Sequence, residues 1–132
     1  MKKSTNNATY DIQYHFVWIP KYRKRILQGM VKDRLEQLLQ ECADINQFEI
    51  LELSIQSDHI HLFLSAKPRY SPANIMNLIK GGTSRIIRQE FPELEEFLWG
   101  DSFWVDGYFV STHSNVTEDI IRQYIQQQSE DR

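Results

Sequence analysis

The pattern of apolar residues predicts an α+β fold, with elements in the order β-α-β-β-α-β and one further helix at the end. Three observations carry this. An aromatic and β-branched run precedes Pro20, two long stretches have apolar residues at helical spacing, and two short alternating segments are separated only by Ser57-Asp58.

Residues 1–8 are polar and are expected to form a frayed tail. From Thr9 to Ile19, Tyr10, Ile12, Tyr14, Phe16 and Trp18 fall on one face of an expected strand, which Pro20 ends. Val31, Leu35, Leu38, Leu39 and Cys42 recur with the helical period and predict an amphipathic helix from about Met30 to Asp44. Leu51, Leu53 and Ile55 alternate with Glu52, Ser54 and Gln56, which predicts a second strand, and a tight turn at Ser57-Asp58 leads to a third over His59–Ser65. Ser71-Pro72 is a helix start: a side-chain cap, then a residue whose missing N–H costs nothing in the first turn. Ile75, Leu78, Ile79, Ile86 and Ile87 mark the buried side of that helix, and Pro92 follows its end. Gly81-Gly82 within it costs about 1 kcal/mol per glycine, so a close backbone approach is expected there, to the sheet by packing or, second to that, to a ligand. Ser102–Thr112 predicts a fourth strand bent at Asp106-Gly107, and Asn115-x-x-Glu118 resembles a capping box opening a helix through Gln128.

This order is the ferredoxin-like arrangement, also used by RNA-recognition modules: an antiparallel sheet with two helices on one face and the other face open. No linker or repeat divides the 132 residues, so a single domain over 1–132 is expected, with 115–128 as its last helix. The longest apolar runs are too short to span a bilayer, and no apolar segment follows the basic N-terminal residues, so a cytoplasmic location is expected. One cysteine, Cys42, excludes an internal disulfide and a cysteine-based zinc cage. The net charge is −3, yet the charges are segregated. Lys21, Arg23, Lys24 and Arg25 form one basic cluster; Lys67, Arg69, Lys80, Arg85 and Arg88 lie in a stretch without a carboxylate. Such segregation allows a face that meets phosphates, because a nucleic-acid backbone responds to the local field.

Alternate residues of a strand share a face, so His59 and His61 project together, ~7 Å apart, away from Ile60, Leu62 and Leu64. Two imidazoles placed in this way can bind one divalent ion. Alternation directs Asp58 to the opposite face. In the last helix, Tyr124 and Gln128 fall within the arc of Ile120, Ile121 and Ile125, the docking side. If that side meets the histidine face, a phenol and a carboxamide come beside the imidazoles; otherwise Tyr124 is a core aromatic.

Several separated motifs then agree with one family. Tyr14-His15-Phe16-Val17-Trp18 with Lys21-Tyr22-Arg23, His59-Ile60-His61-Leu62, Lys80-Gly81 with Thr83-Ser84-Arg85, Leu98-Trp99-Gly100, Gly107–Thr112 and Tyr124-Ile125-x-x-Gln128 resemble the single-tyrosine TnpA transposases of the HUH (His-hydrophobic-His) superfamily, the insertion-sequence 200/605 group. The resemblance covers nearly the whole chain. It implies a metal-dependent enzyme that cleaves and rejoins single-stranded DNA at transposon ends through a 5′-phosphotyrosine. Tyr124 would be the nucleophile; His59, His61 and Gln128 would hold Mg²⁺, with Mn²⁺ as a substitute. It also implies a homodimer in which the tyrosine helix completes the partner's site. DNA hairpins would be held by Lys21, Tyr22, Arg23, Lys24, Arg25, Lys67, Arg69, Lys80, Arg85 and Arg88, with Tyr22 and Tyr70 able to stack on bases. The alternative is a domesticated or non-catalytic hairpin-binding protein on the same fold. Two positions depart from the family pattern: His113-Ser114 where relatives commonly have glycine, and Asp106 where a basic residue is frequent.

Overall fold

A computed structural model describes residues 3–5, 7–112 and 115–128. The His113-Ser114 departure therefore lies outside the described residues, as do Met1, Lys2 and Asn6 of the expected tail. In chain order the elements are β1 (Lys3–Ser4), β2 (Thr9–Tyr10), β3 (Gln13–Trp18), α1 (Gly29–Asn46), β4 (Glu49–Gln56), β5 (His59–Ser65), α2 (Pro72–Glu90), α3 (Glu95–Leu98), β6 (Phe109–Ser111) and α4 (Glu118–Gln127). Strands β3 to β6 form one antiparallel sheet in the order β4-β5-β3-β6, the ferredoxin-like order, with the histidine strand paired on both sides.

The helices cover one face because their apolar stripes match its aliphatic residues. Val31, Leu35, Leu38, Leu39 and Ala43 of α1, with Ile75, Met76, Ile79 and Ile87 of α2, pack on Phe16, Trp18, Ile60, Leu62 and Leu64. Ser71 caps α2 as expected: its hydroxyl accepts from the Asn74 amide, and Asn74 answers the Ser71 amide.

Five local expectations are corrected. Lys3–Ser4 pair with Thr9–Tyr10 in a short hairpin, so this part of the expected tail is paired backbone. The first long strand is two pieces, because Asp11 and Ile12 interrupt the ladder between β2 and β3. A bulge between Ile50 and Glu52 throws Leu51 out of phase, and it lies 40% exposed while Ile55 stays buried. The expected strand over Ser102–Thr112 shrinks to Phe109–Ser111. Before it, the chain is loop with a single bridge from Trp104 to Pro20 and a Val105 amide donating to Ile19. Lys80 of α2 holds this loop, its Nζ donating to the carbonyls of Val105 and Gly107, both at 2.8 Å; those oxygens are therefore not turned to a neighbouring strand. Finally, α4 starts later than expected: Thr117, not Asn115, is its cap and accepts from the Ile120 amide at 3.3 Å.

Gly81 and Gly82 also lack the close packing expected of them. A methyl group at Gly81 would meet nothing within 4 Å, and one at Gly82 only Cys42 Sγ, at 3.9 Å. Both line the groove between α1 and α2.

Candidate active site on the open sheet face

Helix α4 docks on the face that α1 and α2 leave open. Its Ile121, Tyr124 and Ile125 form a small cluster with Val17, Ile19 and Val105, distinct from the main core, and Phe109 and Val116 pack against it. Val17 is the register partner of His61, and Phe109 pairs with Val17 on the other side. One row across the open face therefore reads Ser54, His61, Val17, Phe109. The tyrosine helix covers the β3–β6 half, and the histidines stand on the neighbouring strand.

The two histidines are held differently. His59 Nδ1 lies 2.9 Å from Asp58 Oδ1, and Asp58 Oδ2 lies 3.7 Å from Arg23 Nε. A carboxylate accepts, so Nδ1 carries the proton and the Nε2 lone pair is left for another partner. His61 Nε2 shares a hydrogen bond of 3.0 Å with His15 Nδ1, and the rings stack at 5.3 Å; His15 in turn stacks on Phe63 at 4.0 Å. Burial pushes the His61 pKa below its ordinary value. Glu52 and Glu118 oppose this, and the nearby His59 adds to it. Since Glu118 is in the first turn of α4, that helix contributes to the field at His61.

Tyr124 is buried, with 9% exposure, and its hydroxyl has no hydrogen-bond partner among the described residues. Burial raises its pKa to about 12. Gln128 is the C-cap of α4, its amide N–H donating to the carbonyls of Tyr124 and Ile125. Among the described residues no hydrogen bond joins Tyr124 or Gln128 to His59 or His61, and no three His, Cys, Asp or Glu side chains are grouped to hold a metal. The structure thus brings the phenol and the imidazoles onto one sheet face without joining them.

Two residues of this site escaped sequence reasoning. Asp58 was directed to the far face by alternation, but it sits in the turn between β4 and β5, where alternation does not apply, and it turns back onto His59. His15 lies one strand from His61 and 46 positions away. Its signal was available: it falls out of phase with Tyr14, Phe16 and Trp18, a polar residue on the open face of β3.

The basic residues do not share one environment. Lys21 to Arg25 lie next to the His59 end of the site through Arg23 and Asp58. Lys67 donates to Gln47, and Arg69 lies over the Tyr70 ring. Lys80 is engaged with the loop carbonyls, and burial lowers its pKa. Arg85 lines a groove between α1 and α2, in the helical layer. Arg88 pairs with Glu95 at 2.7 and 2.9 Å. Tyr22 donates to Asp101, and Tyr70 packs edge-on to Phe48. Asp106 is exposed.

Residues 8–128 match the family model described as transposase, IS200-like. The chain belongs to the IS200-like transposase family. It is 35% identical to the ISDra2 transposase TnpA of Deinococcus radiodurans over 97% of this chain and 91% of that protein. It is 30% identical to the IS200 transposase of Salmonella typhimurium over 98% of this chain and 85% of that protein. A crystal structure described as a transposase from Deinococcus radiodurans R1 superposes with a TM-score of 0.86, at 34% identity over 97% of this chain and 98% of that one. A REP-associated tyrosine transposase bound to a REP hairpin shares the fold, with a TM-score of 0.56 at 12% identity over 95% and 68% of the two chains. As a transposase, the chain acts by cutting and rejoining DNA. Among the described residues, no helix of this IS200-like transposase is long and apolar enough to cross a membrane.

Proposed function

We propose that this transposase cuts and rejoins single-stranded DNA at transposon ends, with Tyr124 as nucleophile. The observation that supports this most is the shared face: the cluster around Tyr124 includes Val17, the cross-strand partner of His61. The phenol oxygen forms a bond to the scissile phosphorus as the P–O3′ bond breaks. This leaves a 5′-phosphotyrosine and a free 3′-hydroxyl, on which the phenolic proton ends. Attack by a 3′-hydroxyl on that linkage reverses the step and joins strands without ATP.

His59 and His61 would hold a divalent ion through nitrogen, the Gln128 carboxamide oxygen and water positions being what suits Mg²⁺ or Mn²⁺, and His59 already has its far nitrogen fixed by Asp58. A divalent ion bound there supplies Lewis-acid stabilisation of phosphate charge. Asp58 and His15 act as positioning residues, each fixing one imidazole through its other nitrogen or its ring face.

The docked tyrosine is a resting arrangement. Its hydroxyl is buried, has no hydrogen-bond partner among the described residues and is not joined to either histidine, so in this reading α4 leaves its seat to react. Its separate small cluster suits an element that detaches without opening the main core. This reading accommodates the homodimer that the family resemblance implies, in which α4 of one protomer completes the histidine site of the other, with hairpin-bearing single strands as substrate.

Covalent capture tests the proposal. End-labelled hairpin-bearing single-stranded DNA is incubated with the protein and Mg²⁺, beside Tyr124→Phe. A labelled adduct absent from the variant is expected. Free product without an adduct would assign the chemistry to activated water, and bound but uncut DNA would make this a binding module.

A further inference from the structure

We propose that Trp99, backed by Tyr22 and flanked by Lys24, is a stacking platform for an unpaired base of single-stranded DNA beside the His59 end of the site. This rests on the reading that the substrate is single-stranded DNA.

Trp99 follows α3 and is 53% exposed, unlike Trp18 and Trp104, which are buried. The Tyr22 ring lies 5.2 Å from it at an interplanar angle of 56°, and Lys24 Nζ is 5.2 Å from its centroid. The surface is fixed from below. Tyr22 donates to Asp101, the Lys21 amide donates to the Phe103 carbonyl at 2.8 Å, and the Trp99 amide to the Glu95 carbonyl at 2.9 Å.

The backbone gives independent evidence. Four non-glycine residues among those described have positive φ, and three of them, Tyr22, Arg23 and Trp99, gather here. A helix C-terminus that turns left-handed ordinarily uses glycine, yet Trp99 takes φ +51° and glycine comes only next, at Gly100. Strain of this kind persists where a side chain is needed at that point, and it gathers at ligand clamps.

Charge and position name the occupant. Asp101 is engaged by Tyr22, Glu95 by Arg88, and Asp58 by Arg23 and His59. Lys21 and Lys24 have no carboxylate partner among the described residues. A half-exposed indole with the Lys24 ammonium over it complements a planar base on a phosphate chain, and the long Lys24 stem lets its ammonium exchange the ring for a phosphate. From Trp99 the contacts run through Tyr22 and the adjacent Arg23 to Asp58 and His59, which links the platform to the His59 end of the candidate site.

The test measures binding of a fluorescein-labelled oligothymidylate of about 15 nucleotides by anisotropy, with full-length protein and the variants Trp99→Gly and Trp99→Phe. Trp99→Gly relieves the left-handed strain, so its thermal midpoint should not fall, yet its affinity should drop about tenfold. Trp99→Phe keeps a π-face and should stay within about threefold of the parent. The dependence of affinity on salt should not change in slope, since no charge is removed. Equal affinity of Trp99→Gly and the parent, equal loss in both variants, or no binding of the oligonucleotide by the parent would overturn the platform. The adduct assay separates the two readings. An adduct with unimpaired Trp99→Gly binding sinks only the platform, and a Trp99-dependent affinity without an adduct sinks only the catalysis.

Discussion

The two faces of the sheet bury side chains to different ends. On the face under α1 and α2, a continuous core surrounds the few polar groups, and most are answered: Thr83 donates to the Ile79 carbonyl at 2.8 Å and accepts from Trp104 Nε1 at 3.2 Å. Trp18 Nε1 is the exception, buried without a hydrogen-bond partner among the described residues. The open face holds a smaller cluster under a ten-residue helix, two imidazoles hydrogen-bonded to each other, and a tyrosine hydroxyl left unanswered. One face is built for stability, and the other keeps groups in reserve at a cost to stability.

Tyr124→Phe should break this contrast most sharply. Covalent adduct formation should fall by on the order of 10³-fold or more, because in the proposed mechanism the Tyr124 oxygen itself forms the bond to phosphorus. The same change deletes a buried hydroxyl that has no partner among the described residues, so urea unfolding should show the variant about 1 kcal/mol more stable. A variant that loses both activity and stability would mean that the hydroxyl has a structural partner and would weaken the resting-state argument.

Leu62→Ala and Ile121→Ala compare the two cores directly. Leu62 is 1% exposed in the main core, and its truncation should cost about 2–5 kcal/mol in global unfolding. Ile121, 6% exposed, belongs to the small cluster, and its truncation should be felt mainly as faster amide exchange across α4 while the sheet stays protected. Equal global losses at both positions would show α4 to be an integral part of the core.

Thr117→Ala removes the side-chain cap of α4 and should cost about 1 kcal/mol, again confined to that helix in an exchange experiment. Asn115→Ala should cost less, because Asn115 is not the cap.

The smallest effect is electrostatic. Burial depresses the His61 pKa in the folded state, so between that value and 6.5 the unfolded chain binds more protons than the folded one. The stability that depends on a neutral His61 is therefore complete above pH 6.5 and is lost as pH falls through the folded pKa. Urea midpoints taken from pH 7.5 downward should decline in the parent and decline less in His61→Gln. Parallel curves would show that other groups carry the acid sensitivity.

Much of this was legible in the residues themselves. Alternation in His59–Ser65 put both histidines opposite Ile60, Leu62 and Leu64, and helical spacing put Tyr124 on the docking side of α4. Those are consequences of backbone geometry, which repeats every two residues in a strand and every 3.6 in a helix and acts within one segment. Where backbone ceases to be regular, the same reasoning misled. Asp58 sits in a turn, Leu51 at a bulge, and the loop before β6 is held by Lys80 from another element.

Tertiary structure alone decided what crosses between segments. It brought His15 onto His61, set Trp99 against Tyr22, and chose α4 to cover Val17 while leaving the histidine strand beside it. Such contacts depend on strand register and helix docking, which sum many weak packing terms over the whole chain, and no local period encodes them.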